Sequence, residues 1–200
     1  MKSRWIIPAI LVILAAIPSA NAVELGQVPP TVQLSGKKGG RVDGTPWSSS
    51  EIKGKVYTLM YVDPDAKNMN IPTEKALKAQ NFPKDHYGSI AIINMEATWK
   101  PNIIINKILK GKQKDYPDTI YVRDMDYYIS KAWKLKKNGS YAVLCFDKDG
   151  KLIFLKDGKL SPTDTQNLIT IIRKALEPAP EETQPVEQSN ETPMEKDGIN

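Results

Sequence analysis

The sequence predicts an α/β layered domain in which helices flank a mixed central sheet. Three apolar runs, at 56–62, 89–95 and 119–124, alternate with helical patterns, as expected for parallel strands joined by crossover helices. Two further runs, 141–146 and 151–155, flank an Asp-Lys-Asp-Gly turn and predict an antiparallel hairpin. The sheet is therefore expected to contain both parallel and antiparallel strands.

Four segments carry helix signals, and their apolar residues recur at the spacing of a buried helical face. Thr73 is the predicted N-cap of the first helix, and Pro101 precedes the second. Ser161 is the predicted N-cap of the last helix, with Pro162 at its first helical position. The predicted helices are 73–80, 102–112, 127–135 and 161–176. Ahead of the first long strand, 26–34 is predicted to be extended and 37–41 to form a glycine-rich turn.

Both ends of the chain differ in composition from the predicted domain, residues 23–176. Residues 1–22 combine a basic start, an apolar segment and an Ala-Asn-Ala ending, which is the pattern of a cleaved signal peptide. The apolar segment is too short to span about 30 Å of hydrocarbon, so no stable membrane anchor is expected. Residues 177–200 are acidic and rich in proline, and this composition predicts a disordered tail.

The charge is distributed unevenly along the chain, which has 28 basic and 23 acidic residues in total. The tail holds seven acidic residues and one lysine. Residues 23–176 hold 25 basic and 16 acidic residues, a net charge of +9. An exported protein does not meet nucleic acid, so the polyanions within its reach are phospholipid head groups, cell-wall polymers and acidic proteins. A solvated lysine-rich surface is the simpler interpretation.

Cys145 is the only cysteine of the chain, and it lies in the apolar run Tyr141–Phe146. A single cysteine excludes an internal disulfide and a two-thiol exchange cycle within one molecule. Two roles stay open, a buried strand residue with a raised pKa or a lone reactive thiol. The aliphatic and aromatic neighbours favour the buried residue.

Two groups of motifs resemble known families, and the order of the elements is that of the thioredoxin fold. Residues 26–34, followed by Ile52-x-Gly54-Lys55-Val56, resemble the opening of peroxiredoxin-like and membrane-tethered thiol-reductase domains. Residues 140–176 are more specifically similar to the YtfJ family of small exported proteins of Gram-negative bacteria. The motifs concerned are Asp147-Lys148-Asp149-Gly150-Lys151, Lys156-Asp157-Gly158 and Leu160-Ser161-Pro162. This resemblance covers most of 24–176 and implies a thioredoxin-like three-layer sandwich in the periplasm, but no defined reaction. No cofactor is expected.

The residues with which thioredoxin-type proteins exchange disulfides are missing from this chain. Where such proteins carry Cys-x-x-Cys, residues 63–68 read Asp-Pro-Asp-Ala-Lys-Asn. Where they carry a cis-proline that leaves backbone groups free for a peptide, residues 138–141 read Asn-Gly-Ser-Tyr. No residue is therefore predicted to be catalytic. Because ligands bind beyond the carboxyl ends of such strands, the candidate contact residues are Asp63, Pro64, Asp65, Asn68 and Ser140.

Some polar and aromatic residues allow more than one role. The side-chain oxygens of Asp63, Asp65, Asn68 and Asn70 are of the type that binds a hard cation. Lys67 breaks the pattern of a calcium-binding loop, so we expect an ordinary turn and no metal. Six aromatic residues in connections either line a groove for a peptide or glycan or cap the core: Trp47, Trp99, Tyr116, Tyr127, Tyr128 and Trp133.

We therefore expect a non-catalytic binding or accessory protein of the periplasm. Its predicted partner is another periplasmic protein or a small ligand, and nucleic acid is not expected. The alternative is a redox or peroxide-linked enzyme that uses Cys145 with a partner thiol. The sequence does not predict the oligomeric state.

Overall fold

Six strands form the central sheet of the computed structural model, which describes residues 23–178. The predicted signal peptide and residues 179–200 of the predicted tail lie outside the described residues. The strands are β1 (Gln33–Leu34), β2 (Gly39–Arg41), β3 (Trp47–Ser48), β4 (Val56–Val62), β5 (Tyr87–Asn94), β6 (Thr119–Asp124), β7 (Tyr141–Phe146) and β8 (Leu152–Asp157). The helices are α1 (Ile71–Ala79), α2 (Asn102–Asp115), α3 (Tyr128–Trp133) and α4 (Pro162–Leu176).

The sheet is mixed, as predicted, with the strand order β2-β6-β5-β4-β7-β8. Strands β4, β5 and β6 are parallel, whereas β7, β8 and β2 each run antiparallel to their neighbour. Strands β1 and β3 pair separately as a two-stranded sheet. Because β4, β5 and β6 all end at one edge of the sheet, the loops that follow them lie close together.

Helices cover both faces of the sheet and make three layers. Successive side chains of β4 point to opposite faces. Leu59 packs in one apolar cluster with Trp133 of α3, and Val62 packs in the other with Leu168 of α4. Helix α2 lies on the same face of the sheet as α4. It packs over β6, and its Ile105 and Leu109 are buried there.

One local prediction at the end of an element is wrong, and another is only partly correct. Thr73 lies inside α1 rather than at its N-cap, because α1 begins at Ile71 and the Thr73 hydroxyl is 2.8 Å from that of Thr165 on α4. Of the turn predicted at 37–41, Lys37 and Lys38 do lie in a short 3-10 turn, whereas 39–41 form strand β2, which pairs with β6. Gly39 is required there, because a Cβ atom would collide with the Arg123 carbonyl. The N-cap at Ser161 is confirmed, since its hydroxyl accepts from the Asp164 amide at 3.1 Å.

Candidate functional site

Three loops meet at the carboxyl edge of the parallel strands. One follows β4, one follows β5, and one precedes β7, whose first residue, Tyr141, pairs with Val62 at the end of β4. We call these the β4 loop (63–70), the β5 loop (95–101) and the β7 loop (134–140). The candidate residues predicted from the sequence all belong to the β4 and β7 loops.

Asp63 fastens the β4 loop to the β7 loop. Its carboxylate accepts from the Gly139 amide at 2.6 Å and from the Asp65 amide at 2.8 Å. Its own amide donates to the Ser140 carbonyl at 3.0 Å. The side chain is buried, with 4% of its surface exposed. Backbone groups that a cis-proline loop would offer to a peptide are thus bonded within the protein.

Asp65 links the β4 loop to the β5 loop. Its carboxylate accepts from the Thr98 hydroxyl at 2.9 Å and from the Lys100 ammonium group. The Lys100 hydrogen bond, followed by that of Thr98, holds the pKa of Asp65 below its ordinary value. The carboxylate is exposed, so this ion pair forms part of the outer surface of the loop rim.

Asn94 and Tyr127 join the β5 loop to the β7 loop. The Asn94 amide donates to the Lys137 carbonyl at 2.8 Å, while its buried carbonyl oxygen has no hydrogen-bond partner among residues 23–178. The Tyr127 hydroxyl lies 2.9 Å from the Asn138 side-chain oxygen and 3.0 Å from the Glu96 carbonyl. Sequence reasoning did not identify Asn94, although a polar residue at the end of an apolar strand was a visible signal.

The five predicted contact residues differ in burial, with two of them buried and three of them partly or fully exposed. Asp63 and Ser140 lie within the rim of loops, and the Ser140 hydroxyl donates to Asp157 on β8. Asp65 and Asn68 are exposed, and Pro64 is half-buried. No cluster of three or more potential metal ligands of the His, Cys, Asp and Glu types occurs within residues 23–178.

Cys145 is the fifth of the six residues of β7, beneath α4 and at the end of the strand away from the loop rim. Its side chain is fully buried in the cluster that includes Val56, Phe154 and Leu168. Burial raises the pKa of the thiol to about 12. The thiol is therefore protonated at neutral pH and shielded from solvent, both of which suppress its reactivity.

A second buried carboxylate, Asp124, lies at the end of β6. It accepts from the amides of Tyr128 and Ile129 at 2.9 Å each and from the Tyr61 hydroxyl at 3.1 Å. Burial raises the pKa of Asp124, and the hydrogen bonds from these groups oppose that shift. Asp124 thus satisfies the free amides at the start of α3. Sequence reasoning missed it, because it appears there only as the last residue of a strand.

The six aromatic residues considered for a groove divide by burial. Trp47 and Trp133 are core residues, and the Trp133 indole donates to the Pro30 carbonyl at 2.9 Å. Tyr127 and Tyr128 are half-buried. Trp99 and Tyr116 are exposed, on either side of α2.

Comparison with known proteins identifies the family to which the chain belongs. The model of the family described as "Bacterial protein of unknown function (YtfJ_HI0045)" matches residues 27–175. This chain belongs to the YtfJ family. The Escherichia coli K12 protein called "Uncharacterized protein YtfJ" is 28% identical over 184 residues, which cover 88% of this chain and 100% of that protein. An uncharacterized protein of Haemophilus influenzae is 32% identical over 161 residues, which cover 78% of this chain and 83% of that protein.

The YtfJ-family chain has a thioredoxin-like fold. The solved structure of the thioredoxin-like superfamily protein SPOA0173 is similar, with a TM-score of 0.53 and 20% sequence identity. The similarity covers 74% of this chain and 97% of that one. It agrees with the observed mixed sheet covered by helices on both faces.

The hydrogen bonds of Asp63 give a first stability prediction. Asp63→Asn should lower the free energy of unfolding by about 2 kcal/mol, because the new amino group of this buried side chain faces one of the two amide donors. Urea unfolding followed by far-UV circular dichroism measures the change. Asp65→Asn is the control in the same loop, and it should be indistinguishable from wild type because its partners are exposed. Equal stability of Asp63→Asn and wild type would contradict the role given to Asp63.

Proposed function

We propose that this protein is a non-catalytic binding or accessory protein of the periplasm and that its partner contacts the exposed part of the β4 loop. The observation that carries the proposal is the position of the Asp63 carboxylate. It stands where the thioredoxin resemblance places a cysteine pair, and it bonds the β4 loop to the β7 loop instead. The edge that carries out chemistry in thioredoxin-type proteins is here closed by internal hydrogen bonds.

The buried thiol argues against the redox alternative. Cys145 is fully buried and its pKa is raised to about 12, so neither access nor thiolate formation favours exchange with a partner thiol or a peroxide. It also lies on the face covered by α4, not at the loop rim. Thiol exchange would require the core to open first.

The shape of the edge favours a protein over a small ligand. Small-molecule sites are usually concave, as are one cleft lined by residues that include Trp133 and Phe146 and another lined by residues that include Tyr57 and Tyr87. Asp65 and Asn68 line neither of them. The β4 loop instead presents exposed polar side chains on a rim already held in place by Asp63, which limits the entropy lost on binding.

The proposed location rests on the composition of the chain ends. Residues 1–22 have the pattern of a cleaved signal peptide. Within residues 23–178, no helix is long and apolar enough to cross a membrane. Fractionation of a Gram-negative host, with mass spectrometry of the N-terminus of the purified chain, tests both export and cleavage after Ala22.

Site-specific photo-cross-linking tests the proposed contact. A photoreactive residue at Lys67 or Asn68, both exposed on the β4 loop, should give discrete cross-linked products with a periplasmic protein in living cells. Lys53 and Lys174 are control positions, because both are exposed away from the β4 loop, Lys53 ahead of the first residue of β4 and Lys174 near the end of α4. Absence of products at 67 and 68, or identical products at all four positions, would refute the proposed site.

A further inference from the structure

Helix α2 and the β5 loop before it expose four large apolar side chains. Trp99 is 85% exposed, Ile103 78%, Ile104 50% and Ile108 48%. A folded protein gains nothing by placing such residues together in water, and clusters of this kind mark contact surfaces. Helix α2 already buries Ile105 and Leu109 against the sheet, so these four residues are additional to the face that packs on the core.

Lysines lie among these apolar residues. Ile103, Lys107, Lys110 and Lys114 follow one another at three- and four-residue spacing, on one exposed side of α2. Ile104 and Ile108 form the adjacent row. Asp115 is the only acidic residue of α2. We call Trp99, Ile103, Ile104, Ile108, Lys107, Lys110 and Lys114 together the α2 face.

The three lysines of the α2 face are available to a partner. Lys107, Lys110 and Lys114 are exposed and form no salt bridge within residues 23–178. By contrast, Lys100 is paired with Asp65. The α2 face therefore combines free positive charge with free apolar surface.

We infer that the α2 face docks on an anionic lipid surface. An interfacial helix places aromatic and aliphatic side chains at the boundary of head groups and acyl chains, with lysines reaching the anionic head groups. The α2 face offers both, along a helix about 21 Å long. Its four apolar side chains line neither the cleft that includes Trp133 and Phe146 nor the cleft that includes Tyr57 and Tyr87.

The position of Lys107 favours a lipid surface over an acidic protein. Lys107 stands between Ile103 and Ile108, in the middle of the apolar residues. The cores of protein–protein interfaces are depleted in lysine, because an ammonium group buried there must be desolvated. At a bilayer the long lysine side chain can extend to the head groups while its neighbours stay in apolar surroundings. This inference does not rest on the proposed function.

Trp99 supplies a built-in reporter for the test. Of the tryptophans in residues 23–178, Trp47 and Trp133 are buried and Trp99 is exposed. Vesicles of phosphatidylcholine with 30% phosphatidylglycerol should shift the fluorescence emission of the purified full chain to the blue, and vesicles of phosphatidylcholine alone should not. The N-terminus is determined first, because a retained segment 1–22 would carry Trp5 and an apolar run of its own.

Two pairs of variants separate the α2 face from general charge and hydrophobicity. Lys107→Glu/Lys110→Glu/Lys114→Glu should weaken vesicle binding at least tenfold, since each basic residue near an anionic surface strengthens binding roughly fivefold. Lys37→Glu/Lys159→Glu/Lys174→Glu changes the net charge equally at exposed positions elsewhere. Ile103→Ser/Ile108→Ser should also weaken binding at least tenfold, with Leu25→Ser/Val28→Ser as the control at exposed apolar residues.

Each outcome decides for or against the lipid surface. Binding that needs anionic lipid, falls with salt and is lost only in the two α2-face variants supports the inference. No binding to anionic vesicles, or equal binding by all variants, overturns it. An emission shift with salt in the absence of vesicles would identify the acidic segment 179–200 as the occupant and also overturns it. A specific cross-link to an acidic protein from a photoreactive residue at the exposed Lys110, with vesicles having no effect, would overturn it too.

Discussion

Asp124→Asn is expected to lower the free energy of unfolding by about 3 kcal/mol, although the two side chains have the same shape. The Asp124 carboxylate accepts from the amides of Tyr128 and Ile129 and from the Tyr61 hydroxyl. Asparagine keeps one acceptor oxygen, but its amino group would face one or more of these same donors. Water cannot reach this site to satisfy them, because the side chain is fully buried. Urea unfolding followed by circular dichroism and by tryptophan fluorescence measures the loss.

The pH dependence of Asp124→Asn provides a second readout. Because burial raises the pKa of Asp124 above its ordinary value, this carboxyl group stabilises the folded state most in acid and loses that contribution as the pH rises through its folded pKa. Asparagine does not titrate. The stability difference between wild type and Asp124→Asn should therefore grow as the pH falls. Asp126→Asn, at an exposed carboxylate nearby, is the control and should match wild type at every pH.

Cys145 should react with a thiol reagent at least about 1,000-fold more slowly in the native chain than in the unfolded chain. The thiol is fully buried and its pKa is raised to about 12, so labelling requires opening of the core. The rate of labelling with a maleimide, followed by mass spectrometry in buffer and in denaturant, measures this protection.

A second thiol in the β4 loop gives the matched comparison for Cys145. In the background Cys145→Ser, the substitution Asn68→Cys places a single thiol on the exposed loop, and it should label at the rate of a free peptide thiol. Rapid labelling of native Cys145, or catalytic reduction of insulin that Cys145→Ser abolishes, would reject the buried role and restore the redox alternative.

Strand positions were predictable because local patterns determine them. Strands β4 and β6 cover the predicted residues, 56–62 and 119–124, since an unbroken apolar run between turns fits a strand buried on both faces. The apolar residues of α2 were less informative. Ile104 and Ile108 have the same spacing as Ile105 and Leu109, and only packing against the sheet decides that the second pair is buried.

The location of the candidate site followed from the sequence, but its bonding did not. A loop after a parallel strand must lie at the carboxyl edge, so the position of Asp63 could be predicted. Its bond to Gly139, 76 residues away in the chain, depends on a loop conformation that no local pattern encodes. The hydrogen bond that the Tyr61 hydroxyl donates to Asp124 was equally unpredictable, because it joins residues 63 positions apart in the chain.

The tie between Asp63 and Gly139 has a kinetic consequence for any molecule that docks on this edge. A surface held in one arrangement before the encounter needs no ordering step, so the rate of association depends on diffusion and mutual orientation. Selectivity must then come from rejecting molecules of the wrong shape, because a rigid edge cannot adapt to them.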